Sequence, residues 1–132
     1  MNGKFVPGNK AKVDRLDWGN MKWLSRPGDT KAKKLCVIEV TLRPGGGHNF
    51  HKHPGQEEVI YVVEGAVEQW LGTEKRVMKA GDSVFIAAGK VHASFNVFKK
   101  NARVIAILGP GKGRAGYGLV DVSKQKPWRG LR

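Results

Sequence analysis

Residues 45 to 65 read Gly45-GGHNF-His51-K-His53-PGQE-Glu58-VIYVVE-Gly65. Glycine brackets the stretch, and Glu58 to Val63 within it is β-branched and aromatic, the composition of a strand bounded by turns. In an extended chain alternate side chains share a face, so His51 and His53 point the same way and form a two-pronged clamp. The same alternation puts Ile60 and Val62 on the side of Glu58, with Val59, Tyr61 and Val63 opposite. The carboxylate thus ends an otherwise apolar inward row. A buried carboxylate without a partner is costly. Imidazole with carboxylate is a donor set that divalent first-row metals accept, and such a metal would offset the burial of the acid.

Outward from this stretch the chain keeps one rhythm. Short apolar runs at Cys36 to Leu42, Glu58 to Val63, Ala66 to Leu71, Ser83 to Ala87, Ala93 to Phe98 and Val104 to Leu108 alternate with turn signals. Those signals are Pro44 to Gly47, Glu64-Gly65, Gly72-Thr73, Ala80 to Asp82 and Lys99 to Asn101. Helical periodicity is absent between Cys36 and Leu108. Regularly spaced strands predict an all-β sandwich or barrel over residues 35 to 108. Residues 1 to 34, with Trp18 and Trp23, and residues 109 to 132, with Trp128, read as basic extensions that could add edge strands or cover a partner. The segment Gly109 to Gly116 is a glycine-rich loop without the Gly-Lys-Ser/Thr ending of a phosphate loop.

All four histidines lie in two windows, His48 to His53 and His92, both touching predicted strands. His92 follows a further glycine-bounded strand. Three histidines and one glutamate would leave one or two coordination positions open, which makes a metal reactive. On the residues alone, His51 and His53 could equally sit in a surface loop.

The stretch resembles the first motif of the cupin superfamily: Gly, five residues, His-x-His, three or four residues, Glu, six residues, Gly. The second motif is Gly, five residues, Pro-x-Gly, two residues, His, three residues, Asn. It is matched by Gly81-DSVFI-Ala87-A-Gly89-KV-His92-ASF-Asn96, with alanine in the place of proline. Fifteen residues separate Gly65 from Gly81, a spacing that suits a compact member of the family. The resemblance implies a double-stranded β-helix (jelly-roll barrel) with metal ligation by His51, His53, Glu58 and His92. The six-residue count to Gly65 selects Glu58 over Glu57, which is left outward. His48 has no counterpart in the motif and is expected at the rim of the pocket.

Alternation from these ligands predicts Asn49, Ile60, Val62, Ser94 and Asn96 on the site face, in a mainly apolar pocket. No Ser-His-Asp or paired-carboxylate arrangement accompanies them, so chemistry would belong to a divalent transition metal: Fe, Mn, Ni or Zn. The resemblance implies a range of reactions that includes dioxygenases, isomerases, decarboxylases and sugar-acid enzymes. The reading leans to a dioxygenase acting on a small anionic or oxygen-rich metabolite. A sugar-acid isomerase or lyase, or a non-catalytic binding or sensing module, is the alternative. Arg43, Lys52, Lys90 and Arg103 could bring positive charge to the mouth.

The length of 132 residues suits one domain with one core. One cysteine, Cys36, excludes an internal disulfide framework and a cysteine-based zinc cluster. The net charge of +13 is uneven. Residues 1 to 34 carry nine Lys/Arg against three acids, 35 to 98 six against seven, and 99 to 132 nine against one. A nucleic acid is therefore a conceivable partner of the flanks, although no reader motif accompanies them. No run is long enough to cross a bilayer, and Met1 to Lys12 lacks the apolar stretch of a signal peptide, so a cytoplasmic protein without membrane contact is expected. Trp18, Trp23 and Trp128 lie outside the motifs and such aromatics are favoured at interfaces, and the resemblance to small cupins implies a homodimer.

Overall fold

The computed structural model describes residues 3–132. Residues 1 and 2, the start of the basic N-terminal stretch, lie outside that description. In chain order the strands are β1 (Val13–Leu16), β2 (Gly19–Ser25), β3 (Cys36–Leu42), β4 (Gly47–Lys52), β5 (Glu57–Glu64) and β6 (Ala66–Leu71). They continue with β7 (Glu74–Lys79), β8 (Ser83–Ile86), β9 (His92–Phe95), β10 (Ala102–Gly109) and β11 (Val120–Asp121). One helical turn, α1 (Pro27–Thr30), links β2 to β3, and a short 3-10 turn covers Trp128–Gly130. None of the described helices is long and apolar enough to cross a membrane.

The strands form a six-stranded sheet, β1-β2-β3-β10-β5-β8, and a five-stranded sheet, β11-β4-β9-β6-β7. Every pairing is antiparallel. Facing each other, they make the double-stranded β-helix that the sequence implied. Alternation accounts for the packing: in β5, Glu58, Ile60 and Val62 are buried while Glu57 and Tyr61 are exposed. The inward rows of β2, β3, β5 and β10 meet Val67 of β6 and Met78 of β7 in one apolar core. Gly65 turns β5 into β6 at φ +77, and a Cβ there would stand 2.7 Å from the Asn101 carbonyl oxygen. Only glycine takes that turn without strain.

The outer face of the five-stranded sheet carries a second apolar cluster of Phe50, Trp70, Val91, Ala93 and Phe95, closed by Val122, Trp128 and Leu131 from the C-terminal stretch. At the opposite end of the chain, β2 pairs with β3 and buries Met21 and Trp23. Trp23 is buried within its own chain, and Trp128 packs half-buried against the outer cluster. Strand β7 is a correction to the predicted set. Its Glu-Lys-Arg-Val-Met-Lys text has too little β-branched character to read as a strand, yet it pairs fully with β6 along the sheet edge. A charged edge of this kind discourages pairing with another chain.

Candidate metal centre

The two sheets contribute unlike walls to one cavity. Ile38, Val40, Leu42, Ile60, Val104, Ala106 and Leu108 of the six-stranded sheet form an apolar wall, joined by Met21. His48, His51, His92 and Ser94 of β4 and β9 form the polar wall, with His53 just beyond β4 and Glu58 at the end of its row on β5. Ala106 lies between Ile38 and Ile60 in the registered strands, and its small side chain leaves the space that a larger residue would fill. Atom-free space in the cavity, mouth included, is about 500 Å³.

His51, His53 and His92 each present a ligand nitrogen, all within 4.8 Å of one another. They are 4, 5 and 1 % exposed, and Glu58 is 5 % exposed. The orientation of the rings follows from their outer nitrogens. Nδ1 of His51 lies 2.6 Å from the Asn49 carbonyl oxygen, that of His53 lies 2.6 Å from Gly118, and that of His92 lies 3.0 Å from Lys90. A carbonyl only accepts, so each Nδ1 carries the hydrogen and donates it, leaving the Nε2 lone pair free. Glu58 Oε1 lies 3.5 Å from His53 Nε2 and 2.9 Å from His92 Nε2. Despite that proximity, both Glu58 Oε1 and His92 Nε2 are buried without a hydrogen-bond partner. Two electron-rich atoms face each other in a buried site, the arrangement that a cation between them reconciles. The residues therefore fit a divalent transition metal.

Electrostatics agree with this. Burial, followed by the neighbouring His48 and His92, pushes the His51 imidazole far below the ordinary histidine range. Burial likewise lowers His53, against the opposing charge of Glu58 and the bond to Gly118. Both rings are neutral at pH 7, the form that donates a lone pair.

The remaining predicted pocket residues separate. Ile60 and Ser94 line the cavity, and the Ser94 hydroxyl donates to Gln69 Oε1 at 2.6 Å. Val62 is fully buried but belongs to the apolar core beneath the cavity. Asn96 is structural: its Nδ2 donates to the carbonyls of Leu42 and Lys100, and its Oδ1 accepts from the Phe98 N–H. Asn49 is exposed, and its side chain caps the Phe50 N–H instead of facing the cavity. The reason is a bulge. His48 pairs with Ser94 and His51 with His92, so two residues of β4 oppose one of β9. Alternation slips by one, turning Asn49 outward and His48 inward. His48 consequently stacks on His51 with 3.8 Å between ring centres and on Trp18 at 5.6 Å. Burial, with His53 and His92 beyond it, lowers His48 to about 4.

None of Arg43, Lys52, Lys90 and Arg103 lines the cavity. Arg43 donates to the carbonyls of Leu16 and Asp17, and Arg103 sits between Glu39 and Glu64 at 3.4 Å from each. Residues that the sequence did not single out take part instead. Tyr117, from the C-terminal stretch, borders the cavity edge-on to His53 at 5.3 Å and stacks on Trp23 at 5.7 Å. Gly118 holds His53. Nothing local to residues 117 and 118 announces a position beside residue 53.

Fold and site together define a small barrel with a nitrogen and oxygen donor set for one metal. The cupin domain family matches residues 38–108, and the chain belongs to the cupin family. It is 29 % identical over 121 residues to polyketide synthase CurC of Streptomyces cyaneus, covering 92 % of this chain and 79 % of that protein. Among solved structures it is similar to KdgF from Halomonas sp., with a TM-score of 0.75, 22 % identity, and coverage of 86 % of this chain and 99 % of that one. The oxalate decarboxylase of Lactobacillus farciminis aligns with a TM-score of 0.76 and 20 % identity over 88 % of this chain and 35 % of that one. Both structural likenesses are likenesses of fold.

Proposed function

We propose that this cupin is a metal-dependent enzyme acting on an oxygen-bearing but otherwise apolar organic molecule. The observation that carries the proposal is the convergence of three imidazoles and the unpartnered Glu58 carboxylate on the polar wall of an apolar cavity. His51, His53, His92 and Glu58 would hold the metal. When bound, such a metal supplies a Lewis acid and, as iron or manganese, a centre for oxygen chemistry. The apolar wall from Ile38 to Leu108 would hold the body of the substrate away from water and turn its oxygens toward the centre. Ser94 has its hydroxyl proton committed to Gln69, so its oxygen is left to accept a hydrogen bond from a substrate hydroxyl.

The absence of Lys and Arg from the cavity lining weighs against a small dianion as substrate. The relative CurC, by its name a polyketide synthase protein, supports a polyketone-like substrate class. Oxygen-dependent dioxygenation is the reaction to test first. Metal-loaded protein is incubated with β-diketones, catechols and naphthols, and with oxalate and uronates as contrasts, while dissolved oxygen and substrate loss are followed. Turnover within the first group is expected. Turnover of oxalate or uronates alone would overturn the substrate class, and saturable binding without turnover would make the protein a binding module.

A further inference from the structure

Two of the three imidazoles are oriented by their own strand surroundings, and one is not. The carbonyls that fix His51 and His92 belong to Asn49 and Lys90, each two residues away in sequence. The carbonyl that fixes His53 belongs to Gly118, 65 residues away, on the glycine-rich stretch that follows β10. A loop with glycine at positions 109, 111, 113, 116 and 118 has little intrinsic stiffness beyond the Lys112–Gly116 backbone pair, and Lys112 Nζ ties it to the Pro54 carbonyl without bonding Gly118. Something must hold it to better than hydrogen-bond tolerance for His53 to be aimed at the centre.

The structure assigns that task to Gln56. Its side chain is 1 % exposed and bonds three separate points of the loop. Nε2 donates to the Pro110 carbonyl at 2.7 Å and to the Gly116 carbonyl at 3.1 Å, and Oε1 accepts from the Gly118 N–H at 3.0 Å. Both amide hydrogens are used, so the carboxamide has one orientation only. Gly118 is thereby held at its N–H by Gln56 and at its carbonyl by His53. Tyr117, between Gly116 and Gly118, is carried into the cavity wall by the same clasp. Apart from its backbone N–H, which donates to the His53 carbonyl at 3.2 Å, Gln56 reaches neither the ligand nitrogens nor the substrate space, so its side chain is a positioning group for His53 and Tyr117.

The clasp is also specific in chemistry. A glutamate of the same shape would keep the acceptor for Gly118 but would set a carboxylate oxygen against the carbonyls of Pro110 and Gly116. A leucine would fill the volume but leave the Pro110 carbonyl and the Gly118 N–H without their partner, with the Gly116 carbonyl keeping only the Lys112 N–H. Both changes should free the loop and leave the carbonyls at Asn49 and Lys90 untouched.

The role of Gln56 in metal affinity rests on the metal centre proposed above, but its effect on His53 does not, and the two are read separately. Nitrogen-15 correlation spectra of the histidine rings are recorded for metal-free wild type, Gln56→Glu and Gln56→Leu, followed by cobalt(II) titration of each. Wild type should show the Nδ1–H form for all three buried rings. In both variants His53 alone should move to a mixture of tautomers, and cobalt affinity should fall about 10- to 100-fold, the range for loss of an outer-shell partner. If Gln56→Leu does not fold, the isosteric Gln56→Glu carries the test. A folded variant whose His53 stays in the Nδ1–H form would overturn the inference. So would equal change at His51, His53 and His92, which signals general loosening. Failure of wild type to bind cobalt would remove the metal centre, while the tautomer pattern would still decide the role of Gln56.

Discussion

Replacing Glu58 by glutamine should move metal-free stability and metal affinity in opposite directions. In the wild-type site, Glu58 Oε1 faces His92 Nε2 at 2.9 Å and neither atom has a hydrogen-bond partner. An amide nitrogen in place of that oxygen can donate to the free lone pair of His92. One new hydrogen bond contributes about 1 kcal/mol, and removing an uncompensated buried carboxylate contributes about 1–3 kcal/mol more. For a chain of this size the sum corresponds to a melting temperature higher by roughly 5–15 °C. The same substitution removes the one anionic donor, so metal affinity should fall by more than the roughly 10- to 100-fold cost of an outer-shell change. Thermal melts followed by circular dichroism in chelator, and again with excess metal, give both quantities. A metal-free Glu58→Gln protein that melts below wild type would refute the reasoning, because Glu58 would then be satisfied without a metal. Undiminished metal affinity would refute it equally.

Three further outcomes follow from the geometry. Burial lowers His51, His53 and His48 in the folded chain, so the unfolded chain binds more protons once the pH drops below the ordinary value of about 6.5. Metal-free stability should therefore be level above that pH and decline as the pH falls toward 4, and melts that hold constant or rise toward acid would contradict the assigned burial. Truncation after Asp121 removes Val122, Trp128 and Leu131 from the outer cluster on Phe50, Trp70 and Phe95. It should cost roughly 2–4 kcal/mol and raise binding of an apolar dye, and unchanged urea midpoints would exclude that packing. Ala106→Leu should abolish substrate binding while retaining metal, because the added atoms enter the cavity between Ile38 and Ile60, whereas parallel loss of metal would place residue 106 at the ligands.

Where one face of a strand is buried and its apolar run ends abruptly on polar or turn residues, the chain announces its own structure. Strands β3 and β6 run over the very residues predicted, and the choice of Glu58 over Glu57 follows the inward row of β5. Strand β7 escaped notice because an exposed edge selects for charge in place of branched side chains. The β4 bulge was equally invisible, since an extra residue leaves no mark in composition, yet it reversed the facing of Asn49 and His48. Asn96 matches the second motif but serves the corner of the barrel, where its amide ties three backbone groups. Gln56, Tyr117 and Gly118 meet only through tertiary folding across some 60 residues of chain. Periodicity within one strand carries no information about such a meeting.

His51, His53, His92 and Glu58 are proposed to hold a metal together. Elemental analysis of the purified protein beside a His51→Ala/His53→Ala variant tests this most directly. Close to one equivalent of a single divalent transition metal in the native chain, and none in the variant, is the predicted result. Equal metal in both proteins, or none in the native chain even after incubation with Mn, Fe, Ni or Zn, would contradict it.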